Sequence, residues 1–355
     1  MRRNHFFFSL SLCMACMFSS NELFAQSKKS LLNIEVTPVE ADKKITVTVN
    51  GKPFTELIYT DSLEKHFLYP IYAPDGQLVT RGFPFKPRPN EPTDHPHHTG
   101  LWLNYESVNG LDFWNNSFAI PADKKDKYGW IKTQKILKAR GGKEGEIKVS
   151  ATWENQKKQV LLDETTTYLF KADENKRIID RITILTAKTD VNMPDIKDGM
   201  LGLRVAHELE LPSNEKKTFK DDKGNVTVVD ASTDKVPSGN YITSEGITGD
   251  SVWATRAQWC MLYGKIGEDT ASIVIIDHPR NPGYPTYWHA RGYGLFAANP
   301  LGQKVFSKGK QTLNFSLKQG QSVAFRYRIV IATGKEKLSK EEIGLIAGDF
   351  YQNTK

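Results

Sequence analysis

Three of the eight histidines lie within four positions, at His95, His97 and His98. Alternate residues of an extended chain face the same way, so we expect His95 and His97 to face one side and His98 the other. A neutral imidazole transfers protons near neutral pH and also binds zinc, manganese, iron or copper. The spacing therefore predicts a site in which His97 and His98 are catalytic, and it leaves a divalent metal open.

The residues around the histidines add a carboxylate, an aromatic ring and a rigid support. Glu106 lies eight residues after His98 and is a candidate catalytic acid or base. Trp114 is a candidate substrate contact, because tryptophan faces stack on the C–H faces of sugars. Four prolines in 84–92 exclude a helix or a central strand and predict an ordered loop that leads to His95.

A second histidine lies in an apolar stretch, 200–211, that predicts a strand. His207 and Glu208 are neighbours there, and a buried ionisable pair is costly unless it is paired or used. Neighbouring strand residues face opposite ways, so we expect one of the two to point at the site. His207 is thus a candidate catalytic residue. In addition, His95, His97 and His207 are the candidate set of metal ligands. The alternative is a histidine whose hydrogen bonds are all made within the core.

A third candidate group follows a predicted strand that ends at Asp277. His278 and Asn281 come directly after it, and functional residues are often carried on such loops. We predict that Asp277 and His278 are catalytic and that Asn281 contacts substrate. The alternative is a loop held together by its own side-chain hydrogen bonds.

A stretch rich in aromatic residues, 284–291, supplies further candidates for substrate binding. Trp288 could stack on a sugar ring, His289 could donate a hydrogen bond, and Arg291 suits a carboxylate. For any single tryptophan the alternative is a place in the core.

Most of the chain has the patterns of β-strands. Apolar and polar residues alternate over 147–153, which predicts one buried and one solvated face. Asn50-Gly51 between apolar runs is a strong hairpin signal. Short turns join four long segments into a predicted antiparallel meander: 132–139, 146–154, 160–170 and 177–186. Further strands are predicted at 200–211, 252–264 and 310–317, and a polar hairpin at 221–229.

Only the C-terminal tail predicts a helix. Ser339 and Glu342 have the spacing of a capping box, and apolar residues then recur at helical intervals. The prediction is therefore a mainly β protein: one large antiparallel β-sandwich with a short C-terminal helix.

The first 25 residues predict a signal peptide, with a basic start, a short apolar run and cleavage after Ala25. The alternative is a lipoprotein signal that uses Cys16. Cleavage after Ala25 leaves Cys260 as the single cysteine, in an apolar run typical of a buried thiol. We therefore predict a periplasmic or secreted protein with one domain, 26–355, and no transmembrane span.

Charge and missing motifs exclude several classes of function. The net charge is +7, but the lysines are scattered over turns, so no nucleic-acid partner is expected. The chain has no Gly-x-Ser-x-Gly elbow, phosphate-binding glycine loop, dinucleotide fingerprint or Cys-x-x-Cys pair. These absences exclude a typical serine hydrolase, kinase or Rossmann oxidoreductase.

Several motifs together resemble the secreted bacterial family labelled "methane oxygenase PmoA", a domain of unknown function found in Bacteroidetes and related bacteria. The resemblance covers most of the chain after residue 25 and departs from the family pattern at Ala290 and Leu301. The motifs that carry it are Leu68-Tyr69-Pro70-Ile71-Tyr72, His95-Pro96-His97-His98-Thr99-Gly100, Asp277-His278-Pro279, Asn281-Pro282, Trp288-His289-Ala290-Arg291 and 293–302.

The resemblance implies a carbohydrate context, because members accompany sugar oxidoreductases and glycan-degrading enzymes. It also raises the galactose-mutarotase supersandwich as the form of the β-sandwich. Three hypotheses follow: an exported enzyme acting on a sugar or an oxidised sugar by hydrolysis, elimination or epimerisation, a non-catalytic glycan-binding protein, and a metal-dependent oxygenase. The oligomeric state is left open.

Overall fold

The computed structural model describes Met1 and residues 32–220, 226–229 and 236–354. The predicted signal peptide, the alternative lipoprotein cysteine Cys16 and the turn 221–225 lie outside the described residues. Within the described ranges no helix is long and apolar enough to cross a membrane.

Most of the regular structure in the described residues is β-strand, as the sequence predicts. The strands are β1 (Ile34–Val39), β2 (Lys44–Val49), β3 (Lys52–Ile58), β4 (Phe67–Ile71), β5 (Leu101–Tyr105), β6 (Trp130–Arg140), β7 (Gly145–Glu154), β8 (Val160–Ala172), β9 (Lys176–Ala187), β10 (Val191–Met193), β11 (Gly199–Arg204), β12 (Lys217–Lys220), β13 (Val226–Val229), β14 (Asn240–Thr243), β15 (Trp259–Ile266), β16 (Asp269–Asp277), β17 (Tyr287–Ala290), β18 (Leu295–Asn299), β19 (Phe315–Leu317) and β20 (Ser322–Gly334).

These strands form two eight-stranded antiparallel sheets. The first sheet has the order β1-β2-β3-β4-β5-β11-β18-β17, and the second has the order β14-β15-β16-β20-β9-β8-β7-β6. The pairs β10–β19 and β12–β13 form two further sheets of two strands each. The predicted meander is confirmed as β6 to β9, which pair consecutively.

One large hydrophobic core joins the inner faces of the two sheets. Its members include Leu57 and Leu101 of the first sheet with Trp153 and Ile179 of the second. In β7 buried residues alternate strictly with half-buried ones, which confirms the period of two. The predicted β2–β3 hairpin is also confirmed: Asn50 and Gly51 have φ of +49° and +76°, the conformation that Asn and Gly tolerate best. The large antiparallel β-sandwich is thereby confirmed.

The outer face of the second sheet is covered by the C-terminal helix, which we label α2 because a one-turn helix, α1 (Gln303–Phe306), precedes it. α2 spans Lys340–Asn353 and begins with the predicted capping box of Ser339 and Glu342. Its buried residues Ile343, Ala347 and Phe350 pack on β15, β16 and β20. α1 was not predicted from the sequence.

The outer face of the first sheet carries a separate aromatic cluster. Trp102 of β5 and Leu295 and Ala297 of β18 belong to it, together with Phe67, Tyr69 and Trp114. The alternate residues of β18, Phe296 and Ala298, belong to the main core instead. Loops cover this face, so β5, β11 and β18 are buried throughout.

Three strand predictions were wrong in their bounds. The strand predicted over 200–211 ends at Arg204, and His207 lies in a 3-10 turn, His207–Leu209. The strand predicted over 252–264 begins at Trp259, after the 3-10 turn Gly249–Val252. Of 310–317, only Phe315–Leu317 is a strand. At 207–209 the backbone turns instead of continuing the strand, and Leu209 N–H bonds to Ala206 O within that turn.

Candidate functional site

Four aromatic rings form a continuous stack on the outer face of the first sheet. The ring centroids of Trp102 and His98 are 5.3 Å apart, those of His98 and His95 4.8 Å, and those of His95 and Tyr293 5.4 Å. The planes within each pair differ by 20°, 4° and 5°. We call these four residues the ring stack. His97 packs edge-on against His98 at 4.3 Å.

Arg81 holds the loop that presents the histidines. Its guanidinium donates to the backbone oxygens of Pro92, Asp94, His95 and His98 at 2.8–3.2 Å. His95 has φ of +47°, an uncommon conformation for a residue with a side chain. Four hydrogen bonds to one buried cation over-determine the backbone of residues 92–98, which lets that strain persist.

Arg204, at the end of β11, fixes the tautomer of His98. Its Nη1 lies 3.2 Å from Nδ1 of His98, and a guanidinium in a protein has no lone pair to accept with. Nδ1 therefore accepts, and Nε2 carries the proton. Burial, together with the neighbouring His97 imidazole and the positive charge of Arg204, lowers the pKa of His98 well below its usual value. His98 is thus a neutral hydrogen-bond donor at neutral pH.

Asp94 and His95 form an oriented carboxylate–imidazole pair. His95 Nδ1 lies 2.6 Å from Asp94 Oδ2, while Asp94 Oδ1 accepts from Arg81 at 3.0 Å and from Arg204 at 3.1 Å. Burial alone would raise the pKa of Asp94, but the hydrogen bond to His95 and the charges of Arg204 and Arg81 outweigh it and hold the pKa below its usual range. The carboxylate stays ionised and orients an imidazole whose side chain is 40% exposed.

Two carboxyls with raised pKa values, Glu106 and Asp198, lie next to each other, just after β5 and just before β11. The backbone N–H of Glu106 donates to Asp198 O at 2.9 Å. Burial raises the pKa of Glu106, and the charges of Asp198 and Asp112 raise it further. Burial also raises the pKa of Asp198, although the nearby charges of Lys197, His95 and Arg291 oppose it. Glu106 and Asp198 are therefore poised to carry a proton nearer to neutral pH than ordinary carboxyls.

Two of the predicted substrate contacts lie in this region. His289 Nδ1 is 3.5 Å from Asp198 Oδ1, and burial lowers the pKa of His289 to about 3, so its ring is neutral. The Arg291 guanidinium lies 5.7 Å from the ring centroids of Tyr293 and Trp253. Among the described residues no carboxylate forms an ion pair with Arg291.

Other predicted site residues lie in different surroundings. His207 is buried and its Nδ1 is 3.2 Å from Glu210 Oε2. Trp288 is fully buried in the main core and donates to Ala257 O, so it offers no open platform. Trp114 is also buried, but it packs 5.1 Å from Trp102 and 6.0 Å from His98, and it forms part of the wall behind the ring stack.

Asp277, His278 and Asn281 organise a loop of the second sheet. The Asp277 carboxylate accepts from the backbone of His278 and Thr286 and from the Asn281 side chain. The His278 ring contacts Phe350 and Tyr351 of α2 at 5.1 and 5.6 Å. These contacts match the alternative of a loop held by its own hydrogen bonds, and the structure does not bring the three residues to the ring stack.

The predicted metal ligands are not assembled. In residues 32–220, 226–229 and 236–354 no group of three or more His, Cys, Asp or Glu side chains is arranged to hold a metal ion. His95, His97 and His207 therefore do not form a ligand set among the described residues.

The sequence reasoning missed four residues of the site: Arg81, Asp94, Asp198 and Arg204. Arg204 did have a signal, because it is a lone cation at the end of the apolar run 200–203, where a charge is costly unless it is used. Asp94 adjoins the histidines. Arg81 and Asp198 have no local pattern that distinguishes them from surface charges.

Comparison with known proteins identifies a family but no characterised relative. The model of the family of unknown function DUF6807 matches residues 44–346. No functionally curated protein matches the sequence.

Three of the similar solved structures are distant. A GH36 alpha-galactosidase from Geobacillus stearothermophilus is 8% identical with a TM-score of 0.32, covering 85% of this chain and 41% of that one. A galactose mutarotase-like protein from Clostridium acetobutylicum is 10% identical with a TM-score of 0.35, covering 86% and 98%. The Slr1438 protein from Synechocystis sp. PCC 6803 is 8% identical with a TM-score of 0.28, covering 87% and 97%. The chain spans about two fifths of the alpha-galactosidase.

Proposed function

The chain belongs to DUF6807, a family of unknown function, and we propose that it is an enzyme that performs acid–base chemistry on a sugar or an oxidised sugar derivative. The observation that carries the proposal is the Asp94–His95 pair. A carboxylate held by two buried arginines orients an imidazole that remains partly exposed. Such an arrangement is costly to build and is typical of a catalytic base.

His95 is the base in this proposal. Asp94 accepts a hydrogen bond from the N–H at Nδ1, so the lone pair on Nε2 is free to take a proton from a substrate hydroxyl or from a carbon next to a carbonyl. Asp94 also stabilises the imidazolium that forms. His98 keeps a proton on Nε2 and acts as a neutral donor to a developing oxyanion.

Glu106 and Asp198 supply the acid. Their pKa values are raised by burial and, for Glu106, by the neighbouring carboxylates, which suits a carboxyl that donates a proton to a leaving group or a departing oxygen. An imidazolium formed on His95 would lie within electrostatic reach of Asp198, because His95 is among the groups that lower the pKa of Asp198. A base and an acid of this kind support hydrolysis, elimination or epimerisation.

The substrate contacts favour an anionic or oxidised sugar. Arg291 has no carboxylate partner among the described residues and is suited to bidentate recognition of a substrate carboxylate. Trp102, Trp114 and Trp288 are buried. The alternative of a non-catalytic glycan-binding protein, which needs exposed tryptophan rings, therefore has less support than the enzyme. The predicted export would place this chemistry in the periplasm or outside the cell, and the resemblance to the PmoA-labelled family stays a prediction.

A substrate screen with variants of the pair tests the proposal. Wild type, Asp94→Asn and His95→Gln would be incubated with unmodified glycosides, uronosides and 3-keto glycosides, and products would be followed by mass spectrometry. We expect turnover by wild type and a loss of about 100-fold or more in kcat for both variants, since a positioned acid or base contributes about 10²–10⁴-fold.

Asp163→Asn is the matched control for Asp94→Asn. Asp163 pairs with Lys188 on an exposed part of β8, and its side chain is 47% exposed. The control variant should keep wild-type kcat. Equal turnover by wild type and by folded His95→Gln, with folding checked by circular dichroism, would remove His95 from the chemistry and overturn the proposal.

A further inference from the structure

An open cavity of about 330 Å³ lies on the outer face of the second sheet, beside the start of α2. Its walls are mainly apolar: Trp259 and Met261 come from β15, Ile242 comes from β14, and Ile343 comes from α2. The ring stack lies on the outer face of the first sheet, so the cavity belongs to a different part of the fold. Its volume is at the lower end of the range for small-molecule sites, which is about 300–1,000 Å³.

Backbone contacts set two walls of this cavity. Leu338 N–H donates to Ser272 Oγ at 3.1 Å, which ties the linker between β20 and α2 to β16. On the opposite wall, the turn that carries Gly246 is closed by a hydrogen bond from Gly246 N–H to Thr243 O at 2.9 Å. These contacts lie within the chain itself, so the cavity is formed before any ligand enters it.

The polar groups of the lining are poorly suited to a carbohydrate. Thr243 Oγ1 already accepts from Ile247 N–H at 3.2 Å, and Ser339 Oγ accepts from Glu342 N–H at 3.2 Å. A sugar would bring several hydroxyls against walls that are mainly apolar, and burial of an unpaired hydroxyl is costly. The ligand that fits is therefore one with an apolar body and few polar groups.

Two exposed lysines supply positive charge to the lining. Lys337 and Lys340 both line the cavity, and among the described residues no carboxylate lies within ion-pair distance of either. Lys337 Nζ lies 5.0 Å from the ring centroid of Tyr263 on β15. Among the residues that line the cavity, Glu336 is the only acidic one. Positive charge therefore predominates, and an anionic group on the ligand would be favoured.

We propose that this cavity binds a medium-chain alkyl carboxylate, with its alkyl chain against Trp259 and Met261 and its carboxylate at Lys337 and Lys340. The apolar walls remove the alkyl chain from water, and the flexible thioether of Met261 adapts to its shape. Lysine keeps its ammonium group at the rim while its methylene stem covers apolar surface. The inference is independent of the acid–base enzyme proposed above, because it uses none of the residues of that site.

Quenching of tryptophan fluorescence by bromine-labelled decanoate tests the inference. Bromine quenches a tryptophan that it contacts, so we expect saturable quenching in wild type and loss of most of it in Trp259→Phe. Unlabelled decanoate should reverse the quenching. In calorimetric titrations of unlabelled fatty acids, the affinity should rise about fourfold with each added methylene until the cavity is filled. Full quenching of folded Trp259→Phe would place the fatty acid elsewhere and overturn the inference.

Removal of the two lysine charges tests recognition of the carboxylate. The double variant Lys337→Gln with Lys340→Gln should weaken decanoate binding about tenfold at low salt. Lys335→Gln is the matched control and should keep wild-type affinity, because Lys335 lies in the same linker but pairs with Asp269 at 2.8 Å and does not line the cavity.

Three results would overturn the inference at this step. The double variant would bind decanoate as tightly as wild type, or decanol would bind wild type as tightly as decanoate. In the third, an acidic peptide would bind where decanoate does not.

Discussion

At the scale of single residues, one glycine determines where the ring stack begins. Gly202 of β11 lies opposite Trp102 of β5 in the strand register. A Cβ at this position would overlap the buried Trp102 indole. Because Trp102 stacks on His98, the absence of a side chain at 202 sets the depth at which the histidines lie above the sheet. Close packing of this kind leaves no room for an added methyl group.

Gly202→Ala is therefore expected to displace the Trp102 ring and to destabilise the protein. Overpacking a core typically costs about 1–3 kcal/mol in the free energy of unfolding. Urea unfolding would measure the loss, and near-ultraviolet circular dichroism would report the altered tryptophan environment. Gly344→Ala is the control, since Gly344 lies inside α2 with open space around it, and alanine there should stabilise the protein by up to about 1 kcal/mol. Wild-type stability of Gly202→Ala would contradict this packing account.

The sequence predicted part of the site because part of the signal is local. Three histidines in four positions and the nearby Glu106 belong to one segment, so their proximity follows from the chain itself. The ring stack could not be predicted, because Tyr293 reaches it only through the pairing of β11 with β5 and β18. The same reasoning gave weight to Asp277 and His278, but Asp277 bonds within its own loop and His278 packs on α2, a contact remote in sequence.

At the scale of elements, prediction succeeded where one face of a strand is solvated. The alternation in β7 is visible in the sequence, since one face meets the core and the other meets solvent. The central strands of the first sheet have no such alternation, because loops cover their outer face and both faces are buried. The end of β11 was therefore placed seven residues too late, at 211 instead of 204.

Hydrogen bonds between residues close in sequence specify where α2 begins. Ser339 Oγ accepts from the backbone of Glu342 at 3.2 Å, and Glu342 Oε2 accepts from the backbone of Ser339 at 2.9 Å. Ser339→Ala should lower the free energy of unfolding by about 1 kcal/mol, as measured by urea denaturation. Lys340→Ala, at the neighbouring exposed position, should change it by less than half as much. Equal effects of the two substitutions would argue that capping contributes nothing here.

At the scale of the whole molecule, a buried ionic network links the two sheets. Glu164 of β8 lies 3.3 Å from Arg181 Nη2 of β9 and 3.3 Å from Nε2 of His66, which immediately precedes β4 of the first sheet. Trp153 Nε1 also donates to Glu164 at 2.7 Å. Burial would raise the pKa of Glu164, but His66 and Arg181 outweigh it and lower the pKa to about 2. The interior between the two sheets therefore holds a carboxylate that must stay ionised.

This network predicts how stability depends on pH. The folded-state pKa of Glu164 lies near 2, below its ordinary value of 4.5, so the ionised carboxylate stabilises the fold above about pH 4.5 and this contribution is lost as the pH falls towards 2. A shift of this size corresponds to a loss on the order of 3 kcal/mol. The free energy of unfolding would be measured in urea from pH 6 to pH 2.

Glu164→Gln should be less stable at pH 6, because Arg181 loses its partner, and its free energy of unfolding should decline less steeply as the pH falls. Asp163→Asn, one residue away on the exposed face of β8, should keep the wild-type slope. If Glu164→Gln declined as steeply as wild type, the acid sensitivity of the fold would have to come from other carboxylates.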